Sequence, residues 1–211
     1  MTINPTPHLL DSLYWVTVIA VIVSSASAVL KAGFKQYDLF GVIMIAVATG
    51  LGGGSLRDLL LDRSVFWIED QMFFIASVLS AIFIFIVARF TVVSPRLFLI
   101  PDAAGLATFA VAGTLVALML NTPWLVASFM GVMTGTMGGI FRDILCNETP
   151  VTFQSPLYAT LSWLGALLFI FLLEVEVDVS IAAITVGLII FISRLLALKY
   201  DLSLPRFRFK D

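Results

Sequence analysis

One polar cluster occurs twice in this chain, each time inside an apolar stretch. The first copy is Thr49, Gly50, Gly53, Gly54, Arg57 and Asp58; the second is Thr134, Gly135, Gly138, Gly139, Arg142 and Asp143, every member displaced by 85 positions. Glycine loosens a helix, and charge at membrane depth is expensive, so each feature alone costs stability. Their repetition at one spacing calls for an internally duplicated membrane bundle and points to a pathway through it.

Composition supports the membrane assignment. Of the 211 residues, 60% are hydrophobic and only 12% charged, with a mean hydropathy of +1.07. Soluble domains carry roughly 25% charged residues. The net charge of −2 comes with no clustered basic face, which argues against a nucleic-acid partner. The single cysteine, Cys146, has no disulfide partner within the chain and reads as a small apolar filler at a helix end. No Cys/His group has metal-ligand spacing, and nothing calls for a cofactor.

Polar and turn residues divide the chain into seven apolar stretches, about Leu13–Leu30, Leu39–Leu61, Met72–Phe90, Leu97–Leu120, Pro123–Leu145, Leu157–Leu173 and Val179–Leu198. Each covers most or all of a hydrocarbon core about 30 Å thick at 1.5 Å per residue. The expected fold is therefore an all-α integral membrane protein of seven transmembrane helices, forming a single membrane domain over residues 1–211. Ala26, Ser27 and Ala28 resemble a signal-peptide cleavage site, but no Lys or Arg precedes the first stretch and it has a counterpart in the repeat, so it reads as a span.

Basic residues orient the spans. Lys31, Lys35, Arg89, Arg96, Arg142, Arg194, Lys199, Arg206, Arg208 and Lys210 fall on one side, and only Arg57 and Arg63 on the other. That excess predicts a cytoplasmic C-terminus and, with an odd number of spans, an external N-terminus. Spans one to three (about 10–92) and four to six (about 97–174) then form two three-helix repeats of opposite orientation, with the seventh helix (about 179–198) bracing them. Inverted repeats place their ligand site near the midplane, on discontinuous helices.

Two readings of the glycines stay open. Their concentration in spans two and five favours a kink or a short unwound turn, whose freed carbonyls would replace the waters around a small cation, helped by the hydroxyls of Thr49, Ser55 and Thr134. Alternatively, the four-residue spacing of Gly50 and Gly54, and of Gly131, Gly135 and Gly139, suits close helix packing. Packing alone leaves unexplained why Arg57 and Asp58, and Arg142 and Asp143, follow each cluster. Those charge pairs, one near each mouth, read as gating or field-shaping elements of the pathway, or as structural salt bridges between helices.

At these motifs the chain resembles the prokaryotic members of the trimeric intracellular cation (TRIC) channel family, over nearly its whole length. The resemblance implies a homotrimer in the inner (plasma) membrane, surrounded by membrane lipids, with a separate potassium- and sodium-conducting pore in each subunit. It implies a pore lined chiefly by bent spans two and five, over Thr49, Gly52, Gly53, Gly54, Ser55, Arg57, Asp58, Thr134, Gly138, Gly139, Arg142 and Asp143. One departure is Met137, which stands where the first copy has Gly52. Some bacterial relatives of this domain are regarded as glycine transporters.

Asp38 and Asp102 begin spans two and four and read as helix caps, Asp102 with the further option of facing a cavity. Glu174, Glu176 and Asp178 read as a solvated turn, and Trp15, Trp67, Trp124 and Trp163 as interface anchors. His8, in a Pro-containing tail, suggests nothing catalytic. A passive cation channel is the first functional reading and a small-solute carrier such as a glycine transporter the alternative. An enzyme is not expected, since no Ser/His, Cys/His or metal constellation accompanies the Asp and Arg residues.

Overall fold

The computed structural model describes residues 7–154 and 157–202, and these form nine α-helices and no strand. The helices are α1 (Pro7–Ala32), α2 (Leu39–Leu60), α3 (Phe66–Glu69), α4 (Met72–Ala88), α5 (Leu99–Met119), α6 (Trp124–Leu145), α7 (Val151–Gln154), α8 (Tyr158–Glu174) and α9 (Val179–Tyr200). The long ones agree with the seven apolar stretches to within two residues at most ends. The main difference is α1, which begins at Pro7 rather than near Leu13 and takes His8 into its first turn. The basic residues Arg206, Arg208 and Lys210 lie outside the described residues.

The duplication reaches into the backbone. Both α2 and α3 have counterparts, α6 and α7, whose first and last residues lie 85 positions later. The turns that follow α2 and α6 each place a residue in the left-handed region, Asp62 at φ 51° and Asn147 at φ 54°, again 85 apart. Asp and Asn tolerate that conformation better than most residues because their short side chains bond locally. Asp38 caps α2 as expected, its Oδ1 accepting from the Gly41 amide at 2.7 Å.

Helices α1, α2 and α4 pack into one three-helix bundle and α5, α6 and α8 into a second. The bundles meet through α2 against α6 and α1 against α5, and α9 lies across α5 and α8. Gly165 admits α9, since a Cβ there would meet the Ile190 side chain. The largest apolar core joins the second bundle to α9 through Leu115, Phe169, Ile170, Val186 and Ile190. Of the central apolar window of α5, 83% is buried, against 28% for α9, so α5 is the axis of the molecule and α9 its outer brace.

Five helices are long and apolar enough to cross a membrane: α1 with its extension to Lys35, α2, α5, α6 and α9. Helices α4 and α8, at 17 residues each, are shorter, spanning about 25 Å. Length and composition by themselves pick out these five, with α4 and α8 left as shorter apolar helices.

Candidate functional site

The glycine clusters lie where α2 and α6 cross. A Cβ on Gly53 would collide with the Thr134 carbonyl oxygen, and a Cβ on Gly138 with that of Thr49. These contacts exchange under the 85-residue offset. Along the crossing, residue numbers rise from 49 to 53 on α2 as they fall from 138 to 134 on α6. The two helices therefore cross antiparallel about a pseudo-twofold axis, which is the inversion read from the sequence.

No turn is unwound here. Both helices are α-helical throughout and no described glycine has positive φ, so the expectation of carbonyls freed by a helix break is corrected. Backbone-to-backbone contact explains the glycines instead: Gly53 and Gly138 admit carbonyls, Gly52 admits the Phe141 ring and Gly54 the Phe66 ring. The close-packing alternative accounts for these four positions.

Beside the crossing is a small cavity of about 10 Å³, enough for roughly one water. Its wall includes Ser24 and Ser27 of α1, Thr49 of α2, Asp102 of α5, and Thr134 and Gly138 of α6. The Thr49 hydroxyl donates to the Ile45 carbonyl and the Thr134 hydroxyl to that of Met130, both at 2.6 Å and again 85 positions apart. Gly139 also lines the cavity, whereas Ser55 does not: its hydroxyl donates to the Leu51 carbonyl and accepts from Trp67 Nε1, each at 2.8 Å. That bond gives Trp67 a fixed partner, as Ser128 Oγ does for Trp163 Nε1 at 3.0 Å, while Trp15, Trp124 and Trp163 are exposed on the bundle surface, as interface anchors are.

Beyond the glycines, each helix carries its charge pair into the interior. Arg57 Nε donates to Asp58 Oδ1 at 2.8 Å, and Arg142 Nε to Asp143 Oδ1 at 2.8 Å. Arg57 is 3% exposed and the other three are fully buried, so neither arginine snorkels to lipid. The second carboxylate oxygen of each Asp accepts the first amide of the following short helix, from Phe66 to Asp58 at 3.0 Å and from Val151 to Asp143 at 2.7 Å. Each aspartate thus pairs with its arginine and ties down the loop behind it, although Arg142 Nη2 is buried with no hydrogen-bond partner among the described residues.

The two ends differ in what surrounds these pairs. Arg142 Nη1 also donates to Asp102 Oδ1 at 2.6 Å and to Ser27 Oγ at 3.1 Å, while Lys31 Nζ reaches Asp143 at 2.7 Å and Glu148 at 3.1 Å. Lys35 binds Glu148 at 2.7 Å from the rim and, with Lys31, holds that carboxyl below its ordinary value. At the other end, among the described residues, Arg63 is the one further cation near Asp58, at 3.6 Å. Position 17, which answers to Asp102, is Thr17, whose hydroxyl donates to its own helix at Leu13. The cap assignment for Asp102 is corrected: it lies inside α5, after the Phe98 cap, and its carboxylate holds Arg142.

Lys31, Arg142 and Arg194 were counted as flanking basic residues, yet all three are buried. Arg194 stacks over Tyr158 at 4.5 Å. Ser24, Ser27 and Tyr158 carry no recognisable spacing. Intramembrane charge was the one signal that could have singled out Lys31 and Arg194.

The fold and site define an internally duplicated, inverted-repeat membrane protein whose halves meet beside a small polar cavity, with a buried ion pair on each of the two crossing helices. The chain belongs to the glycine transporter family, whose model matches residues 14–89 and again 99–174. That membership sets it among membrane transport proteins and apart from enzymes. It is 34% identical over 202 residues to the UPF0126 inner membrane protein YadS of Escherichia coli K12, covering 92% of this chain and 96% of that one. A UPF0126 membrane protein of Vibrio cholerae is 34% identical over 197 residues, covering 92% and 82%. Among solved structures, the TRIC trimeric intracellular cation channel orthologue from Rhodobacter sphaeroides superposes with a TM-score of 0.86 at 33% identity, over 90% of this chain and 99% of that one. A prokaryotic TRIC channel determined in 0.5 M KCl superposes at 0.85 with 28% identity, over 92% and 100%. The fold is that of the TRIC channels.

Proposed function

We propose that the chain is a passive channel for monovalent cations, potassium and sodium, with one conduction path in each subunit of a homotrimer. The observation that carries this reading is the polar cavity at the antiparallel crossing, walled by hydroxyls and a carboxylate, with a buried Arg–Asp pair farther along each of the two crossing helices. The similar solved structures are described as cation channels. On this reading the path follows Thr49, Gly52, Gly53, Gly54, Ser55, Arg57 and Asp58 of one repeat and Thr134, Gly138, Gly139, Arg142 and Asp143 of the other. Glycines leave the path narrow, hydroxyls replace part of the ion's water, and the charge pairs set the field at the mouths.

The protein sits among the lipids of the inner (plasma) membrane as seven spans, α4 and α8 completing the set, in a single domain of repeats at about 10–92 and 97–174 and a seventh helix at about 179–198. Its N-terminus faces out and its C-terminus the cytoplasm. The exposed or half-exposed Lys35, Arg89, Arg96 and Lys199, against Arg63, support that orientation once the buried basic residues are set aside.

Purified protein in liposomes under a potassium gradient tests the reading. Current that grows without saturation supports a channel; saturable glycine uptake or exchange with no potassium current overturns it. A carrier is the second reading, favoured by the inverted repeat, an architecture that alternating access also uses.

A further inference from the structure

Asp102 is 6% exposed, deep in the molecule, and its two oxygens have different surroundings. Oδ1 accepts from Arg142, whereas Oδ2 makes no hydrogen bond of good geometry among the described residues, although the Tyr158 hydroxyl on α8 interacts with the carboxylate. A buried carboxylate oxygen left short of a good hydrogen bond is costly, and a native structure keeps one for a reason such as an ion or water that occupies the site. The residue lines the cavity beside Ser24, Ser27, Thr49 and Thr134; Arg142 is not part of the wall, but its Nη2 is also buried without a hydrogen-bond partner among the described residues, close to the wall residue Gly139.

The hydroxyls around Asp102 have a common polarity. Thr49 and Thr134 spend their hydrogens on Ile45 and Met130, and Ser27 donates to the Ser24 carbonyl at 2.9 Å. With their hydrogens spent, these hydroxyls offer the cavity lone pairs only, Ser27 having one left after accepting from Arg142 Nη1 at 3.1 Å. Gly105 adds room for a fourth oxygen, because a Cβ there would displace Ser24 Oγ. Lone pairs and a carboxylate edge suit a hard cation and repel an anion. The volume of about 10 Å³ admits one particle the size of water, hence a bare potassium or sodium ion but not an amino acid.

We propose that Asp102, through Oδ2, and the hydroxyls of Ser24, Ser27, Thr49 and Thr134 form a coordination site for one dehydrated monovalent cation, and that Asp102 sets the preference for cations over anions. The site rests on the channel reading and assigns its selectivity to α5, a helix outside the duplicated glycine motif. The offset leaves Thr17 at the matching position of α1, so the cavity has this one carboxylate and the site is off the pseudo-twofold axis.

Two measurements test the site. Thermal unfolding in detergent is followed as potassium chloride replaces N-methylglucamine chloride at constant ionic strength, and reversal potentials in potassium chloride gradients give the potassium-to-chloride permeability ratio. The wild type is expected to be stabilised by potassium. Asp102→Asn should abolish that stabilisation and lower the permeability ratio by about tenfold. Because this change also removes a partner of Arg142, a second variant, Ser24→Ala with Thr49→Val, leaves the ion pair intact. It should weaken the potassium effect on melting while the protein stays folded. Potassium stabilisation unchanged in both variants, or selectivity unchanged in a folded Asp102→Asn, overturns the site. If potassium stabilises the wild type but not the variants while liposomes pass no current, the site stands and the channel reading falls; current insensitive to both variants leaves the channel and removes the site.

Discussion

Substituting Gly53 by Ala tests whether the duplicated glycines serve contact between helices. The new Cβ meets the Thr134 carbonyl oxygen, a backbone atom that cannot rotate away, at a separation real Cβ atoms essentially never show. To regain ordinary van der Waals distance the helices must part by about 1 Å. Overpacking of this kind costs about 1–3 kcal/mol, toward the upper end because backbone must yield. Alanine returns up to about 1 kcal/mol of helix propensity, leaving a net loss of about 2 kcal/mol. Gly138→Ala, facing the Thr49 carbonyl across the same axis, should cost the same. Since either substitution already separates α2 from α6, the double variant should lose about 2–3 kcal/mol rather than the sum of the singles, which is the signature of residues that share one contact. Gly187→Ala, with nothing within 4 Å of its Cβ, is the control and should be neutral or slightly stabilising. Denaturant unfolding of the purified protein, followed by tryptophan fluorescence, measures all four. Stabilisation by either single substitution, or strict additivity in the double, would refute the crossing-contact argument and restore helix breaking as the role of these glycines.

Arg142→Gln leaves Asp102 a buried carboxylate without its cation, although Asp143 keeps Lys31 and the Val151 amide, and should cost about 3–5 kcal/mol, whereas Arg57→Gln strands no second carboxylate, leaving Asp58 with the Phe66 amide and Arg63, and should cost distinctly less; equal losses in melting experiments would contradict the asymmetry between the two ends. The depressed Glu148 carboxyl contributes stability that is complete above its ordinary value of 4.5 and lost as pH falls through the lower folded value, so Glu148→Gln should flatten the acid limb of a stability–pH curve; an unchanged limb would remove Glu148 from that role. A reporter fused after Asp211 should behave as cytoplasmic and one inserted between Glu174 and Asp178 as external; both on one side would exclude seven spans.

The sequence displayed the long helices because lipid demands uninterrupted apolar runs, and Asp38, Asn121 and Asp178 sit where those runs stop. It displayed the repeat because the glycines and charges recur without a gap or insertion between them. It did not distinguish a helix broken at glycine from one touching another at glycine, since both use the same residue for opposite reasons. Only the reciprocal approach of Gly53 to Thr134 and Gly138 to Thr49 separates them. Asp102 was placed as a cap because an acid near a helix start has that role more often; its partner lies 40 residues away on α6, a distance that periodicity does not register. Of the cavity hydroxyls, Thr49 and Thr134 were legible as members of the repeat, whereas Ser24 and Ser27 on α1 recur nowhere in the second half and were hidden for a similar reason.

The antiparallel crossing also bears on how such a chain arises. Each half contributes one glycine and one carbonyl, so two copies of a single three-helix unit, inserted into the membrane in opposite senses, would make the same contact as separate subunits. Fusion of the two genes fixes their orientations and releases each half from having to serve both. Thr17 then diverges from Asp102, and Arg63 from Glu148, without harm to the shared seam. A descendant of such a fused pair inherits two unlike faces, and with them a built-in distinction between inside and outside that the ancestral homodimer, symmetric by construction, had no means to express.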